Sequence, residues 1–163
     1  MLSLAAGPAL AVPRLGKPRQ LKFLNTHTGE RVQATYWDGR AYRPQALREI
    51  DRVLRDHRNG EVAAIDRRLL DLLVVLHQQL GSTAAYHVIS GYRSPATNAM
   101  LAARSRGVAK RSLHVDGMAI DVRLPDRTLA DLRSAALALK AGGVGYYPRS
   151  DFVHIDVGRP RSW

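Results

Sequence analysis

Between residues 118 and 122, apolar Met118, Ile120 and Val122 alternate with Ala119 and Asp121. Between 152 and 157, Val153, Ile155 and Val157 alternate with Phe152, His154 and Asp156. A period of two belongs to a strand with one face in a core, so both segments predict strands whose outer faces carry the polar residues. Leu21 to Trp37 alternates around Thr26-His27-Thr28-Gly29 and predicts a hairpin, with aromatic and β-branched residues on its second arm and Asp38-Gly39 closing it. Tyr86–Ser90 and Val144–Tyr147 read as shorter strands, the latter turned by Pro148-Arg149-Ser150 into the segment carrying His154.

Helical spacing accounts for most of the rest. Pro44 suits the first turn of a helix whose apolar face is Leu47, Ile50, Val53 and Leu54. Asp66 is the expected N-cap of a second helix through Leu69, Leu70, Leu73, Val74, Leu76 and Leu80, stopped by Gly81. Ser94 and Pro95 open a third, running to about Arg106 before Gly107. A fourth is expected from Thr128 to about Ala141, ending at Gly142-Gly143. The expected fold is α+β: a small antiparallel sheet flanked by about four helices.

A chain of 163 residues that is 45% hydrophobic is enough for one core and too short for two comfortable ones. Residues 21–163 are therefore read as a single domain. Ahead of it, Met1 to Ala11 are small and apolar and end in Ala9-Leu10-Ala11, as an exported protein's cleavable signal does, although the basic start of such a signal is missing. Val12 to Gln20, with two prolines and three basic residues, reads as a linker. Residues 1–20 are accordingly expected to be an export-signal remnant and linker, with a periplasmic or cell-envelope destination. No later apolar run approaches the roughly 20 residues that span a bilayer, and a monomer is expected.

Without cysteine, a metal site here must use His, Asp or Glu. His114 and Asp121 stand seven residues apart, and His154 lies on the second alternating strand. An odd offset would put His114 on the wrong face of a continuous strand, so the pleat must break between them, and Gly117 can supply the bend. If the two strands are antiparallel neighbours, two imidazoles and one carboxylate converge on one ion and leave a fourth tetrahedral position for water. That is the pattern of a catalytic zinc site.

The run Ser112-Leu-His114-Val-Asp-Gly117-Met-Ala119-Ile-Asp121 completes the motif Ser-x-His-x-x-Gly-x-Ala-x-Asp, with His154 downstream. It resembles the zinc D-Ala-D-Ala metallopeptidases, which cleave peptides of bacterial peptidoglycan. Ser90-Gly91-Tyr92-Arg93-Ser94 and the glycine-rich run 142–148 are similar to the family's murein endopeptidase branch. The resemblance covers about Leu21 to Trp163 and implies zinc held by His114, Asp121 and His154. It also implies a substrate of peptidoglycan peptides, with Ser112 binding a substrate terminus. Arg93 is expected to bind the developing oxyanion or the substrate carbonyl. For the catalytic base, other branches of the family use a residue two or three before the last zinc histidine; here these are Phe152 and Asp151. Asp156, on the face of His154, is the favoured candidate; its other possible role is to orient a ligand, and Asp151 is the second candidate base.

The net charge of +11 is uneven: Arg93, Arg104, Arg106, Lys110 and Arg111 fall in a stretch, Asp71 to Asp116, with no acidic residue between. It would concentrate anionic ligands near the site, and peptidoglycan peptides with free carboxylates fit. Phosphate fits as well, but no nucleic-acid motif accompanies the patch, so specific nucleic-acid binding is not expected. Endopeptidase action on murein cross-links is the expected function, with D,D- or L,D-carboxypeptidase action as the alternative. A zinc-containing cell-wall binding module without hydrolysis, and a metal-dependent nuclease, are the remaining rivals. His27, His57, His77 and His87 are expected to be ordinary structural histidines.

Overall fold

The computed structural model describes residues 16–104, 109 and 111–163. The signal-like residues 1–11, the start of the linker and the expected end of the third helix at Arg106 lie outside them. A hairpin opens the fold: β1 (Arg19–Asn25) and β2 (Arg31–Trp37) pair antiparallel, with Leu21 opposite Ala34 on the buried side. The chain then forms α1 (Pro44–Val53), α2 (Arg67–Leu80), β3 (Tyr86–Ser90), α3 (Pro95–Arg104), β4 (Ala119–Arg123), α4 (Leu129–Leu139), β5 (Gly143–Tyr147), β6 (Phe152–Asp156) and the two-residue β7 (Arg161–Ser162).

The seven strands form one sheet in the order β2-β1-β3-β4-β6-β5-β7. It is mostly antiparallel, with β1–β3 and β5–β7 pairing parallel. Local signals set the helix ends. Asp66 accepts the Arg68 backbone N–H at 2.8 Å and Gly81 closes α2 at φ 58°. Thr128 and Asp131 form a reciprocal capping box on α4. That helix stops at Lys140, itself left-handed at φ 50°, and Gly143 already belongs to β5. The expected helix end at about Ala141 is thus corrected to Leu139, two residues earlier.

Helices α1, α2 and α4 pack on one face of the sheet. There Leu21, Phe23, Tyr36, Ile50, Leu69, Leu70, Leu73, Tyr86, Ile120 and Val153 are fully buried. Each large side chain removed from water contributes about 1.5–3 kcal/mol, so this face holds the fold. On the central strand β4 the opposite face is buried too: Ala119 and Asp121 are covered although they point away from the helices. Around Asp121 stand His114 from the loop before β4, Arg93 from the loop after β3 and His154 from β6.

Candidate metal centre

Strands β4 and β6 are direct antiparallel neighbours, with Asp121 opposite His154. Both side chains stand on the face away from the helices. His114 reaches the same point from a tight turn: the N–H groups of Val115 and Met118 donate to Ser112 and Leu113, and that of Gly117 to His114 itself. The turn is tied to the loop after β3, because the Arg93 N–H donates to the His114 carbonyl at 3.1 Å and His114 Nδ1 lies 2.7 Å from the Gly91 carbonyl. That loop is anchored in turn, with Tyr92 N–H donating to Leu54 and Ser94 N–H to the Asp56 carboxylate.

These contacts fix both imidazoles. A carbonyl can only accept, so His114 carries its proton on Nδ1 and presents a lone pair at Nε2. His154 Nε2 lies 3.1 Å from Asp156 Oδ2, which places its N–H there and its lone pair at Nδ1. The two free nitrogens are 3.3 Å apart and lie 3.3 and 2.8 Å from Asp121 Oδ1. Three acceptors thus face one another, a grouping able to hold a cation. A tetrahedral zinc with ligands at about 2.0–2.1 Å has edges of about 3.3 Å between them, so the donor set fits that ion in kind; two of its edges match, and the His154–Asp121 edge, at 2.8 Å, is shorter. His114, Asp121 and His154 are the one group of this type among the described residues.

The electrostatics agree. Burial pushes the Asp121 carboxyl up, but the His114 and His154 rings outweigh it and hold it well below the usual carboxylate range. Burial likewise opposes charge on His154, and the flanking Asp121 and Asp156 carboxylates overcome this and raise it, so positive charge is favoured at this point, whether as a proton on the ring or as a cation in its place.

Asp156 is fully buried, and its oxygens are crowded with donors. Oδ1 accepts from the Gly143 and Gly158 N–H groups and from Arg161, and Oδ2 accepts from Arg161 at 2.7 Å and from His154. Burial alone would raise this carboxyl; His154, Arg161 and the two backbone donors together lower it. Asp151 sits elsewhere. It is left-handed at φ 55°, 61% exposed, and its Oδ2 is paired with Arg123. Arg93 lies at the site with one amino group 3.8 Å from Asp121 Oδ2, another bonded to Asn98, and a buried Nε with no partner among the described residues.

Together with Arg111, Ser112, Tyr147, Phe152, Arg161 and Trp163, Arg93 and the three convergent residues line an open cleft of about 300 Å³. Asp116 is exposed. His87 pairs across the sheet with Arg123, outside the cleft; His27 and His57 stack on each other at 3.9 Å, and His77 stacks on Tyr86. The sequence reading passed over three participants. The Gly91 carbonyl is invisible to any side-chain pattern, and Arg161 lies on a strand too short to show a period, with Trp163 just beyond it.

The open face of an antiparallel sheet, bearing two histidines and an aspartate with the outer nitrogens tied down, is an arrangement of the kind metallopeptidases use. The family described as peptidoglycan L,D-endopeptidase MepK matches residues 14–163, and the chain belongs to that family of peptidases. It is 47% identical over 156 residues to the peptidoglycan L,D-endopeptidase MepK of Escherichia coli, covering 96% of this chain and 86% of that protein. The probable peptidoglycan L,D-endopeptidase MepK of Haemophilus influenzae is 40% identical over 163 residues, covering 99% and 88%. The expected family resemblance is thereby established, and with it the reading of the chain as an enzyme. No helix among the described residues is long and apolar enough to cross a membrane.

Proposed function

We propose that this chain is a zinc-dependent murein endopeptidase that hydrolyses L,D-peptide cross-links, with His114, Asp121 and His154 holding the metal. The observation that carries the reading is the set of three acceptor atoms within 3.3 Å of one another, each histidine's remaining nitrogen engaged by an acceptor behind it. Bound there, zinc supplies Lewis acidity toward a carbonyl oxygen and acidifies water. The substrate lies outside the cytoplasmic membrane, so export is part of this proposal.

The chain's own residues divide the remaining work. Arg93 lines the cleft, with its two amino groups 3.3 and 3.4 Å from Asn98 and Ser90 and further N–H groups on each, which suits it to bind the substrate carbonyl as charge develops on its oxygen. Ser112, at the entrance of the turn, receives a substrate polar group. Asp156 acts through His154: every lone pair it has is already engaged, so it fixes the ring and its tautomer and takes up no proton. Of the two aspartates only Asp151 keeps an oxygen free. We assign proton transfer to it, with release from Arg123 bringing the carboxylate over the cleft. Asp156→Asn is expected to weaken zinc binding by about 10- to 100-fold. Asp151→Asn should leave zinc content unchanged and lower kcat by about 100-fold or more. Metal analysis alongside turnover separates them, and equal zinc retention with the larger kcat loss in Asp156→Asn would reverse the assignment.

The function itself is tested by incubating zinc-loaded protein with isolated cross-linked muropeptides, with and without chelator, and weighing the products. Conversion of dimers to monomers that chelator abolishes is the expected result. Loss of a terminal residue would indicate a carboxypeptidase. Intact substrate in the presence of bound zinc would make the chain a cell-wall binding module.

A further inference from the structure

We propose that Trp163 is a specificity-determining residue, its indole forming with Tyr147 and Phe152 the wall against which the aliphatic chain of the cross-linking residue packs. The proposal rests on the endopeptidase reading above. Trp163 is 49% exposed, a large apolar surface left to solvent with its ring 5.2 Å from that of His154. It is nevertheless held on several sides. Its N–H donates to the Val144 carbonyl at 3.2 Å and its carbonyl accepts from Tyr146 at 3.0 Å, continuing the pairing of β7 with β5. The indole N–H donates to the Tyr147 hydroxyl at 2.6 Å, and the Arg161 guanidinium lies 4.9 Å from the ring. Tyr147 in turn stacks on Phe152 with centroids 4.6 Å apart. Gly145 makes the seat, because a Cβ there would come within 2.7 Å of the indole.

A tryptophan that served only to fill the core would be buried. One fixed in place but half uncovered, beside the reacting centre, is preorganised to contact a ligand at little cost in entropy. The ligand's chemistry follows from the bond. An amide between two stem peptides requires a residue with a second amino group, and an amine on a D-configured amino-acid centre shares its carbon with a carboxyl group. Such a residue presents an aliphatic chain and, next to the scissile nitrogen, a site of negative charge. The cleft offers the complement to both: the aromatic wall from β5, β6 and Trp163, and Arg93, Arg111 and Ser112 from the loops.

The test uses zinc-loaded protein and cross-linked muropeptide dimers. Trp163→Ala should raise KM about tenfold or more, with kcat within about threefold of the parent and zinc content unchanged; Trp163→Phe should recover most of the loss. Trp37 and Trp163 are the two tryptophans of the chain, so in a Trp37→Phe background the emission of Trp163 should shift as monomeric muropeptide product is added. An unchanged KM in Trp163→Ala, or a fall in kcat that tracks loss of zinc, would overturn the proposal. Should the parent enzyme convert no dimers, the endopeptidase reading fails separately. The fluorescence titration then decides, a shift supporting the wall and a flat emission refuting it.

Discussion

His154→Ala is expected to reduce hydrolysis of cross-linked muropeptides by at least about a thousandfold, equivalent to roughly 4 kcal/mol of transition-state stabilisation, while the protein remains folded. The first half of the expectation follows from the donor set. Without His154 Nδ1 the cluster keeps His114 Nε2 and Asp121 Oδ1, two ligands at 3.3 Å, too few for a closed hold on a divalent ion. The second half follows from where the core lies. His154 stands on the face of β6 away from the helices, whereas Val153 and Ile155 on the other face remain buried against them. The Asp156–Arg161 pair also survives the substitution. Thermal unfolding distinguishes the two effects. Zinc that binds only the native state stabilises it by about 4 kcal/mol at a thousand times its dissociation constant, so added zinc should raise the Tm of the parent and leave that of His154→Ala nearly unchanged. A variant with parental zinc response and turnover would remove His154 from the site.

How much of this was legible in the chain depends on the range of the interaction that decides it. Alternation over five residues placed Asp121 away from Ile120 and Val122, and His154 away from Val153 and Ile155, and the structure has them so. Capping chemistry at Asp66 located a helix start because the hydrogen bond is local. The sheet order was not legible, since β1 meets β3 across two intervening helices and β7 joins β5 in parallel through backbone bonds that no side-chain pattern encodes. The state of Asp156 was hidden for the same reason. Its position beside His154 could be read from the strand period, but the donors that fill its oxygens come from Gly143, Gly158 and Arg161, which only the folded sheet brings together. Position along a strand predicts a face; it does not predict which atoms are still free.

Gly117→Ala is expected to cost about 2–4 kcal/mol of stability and to lower zinc affinity, although residue 117 contributes no side chain to the site. Two independent effects add. The backbone at Gly117 has φ 65°, a left-handed conformation that residues with a Cβ adopt at a cost of about 1–2 kcal/mol. A Cβ there would also come within 2.4 Å of the Ala64 carbonyl oxygen, so backbone must move. The displacement cannot stay local. The Gly117 carbonyl accepts from the Asp66 N–H at the head of α2, and its N–H donates to the His114 carbonyl, so a shift propagates to the helix cap and to a ligand at once. This bend also reconciles the odd seven-residue offset with a common site. His114 lies before it, Asp121 four residues after it, and only a break in the pleat lets both reach one ion. Denaturant unfolding of the metal-free protein measures the first effect, and zinc titration measures the second. Parental stability together with parental zinc affinity would show that the turn tolerates a side chain and that the bend is not what sets the ligand geometry.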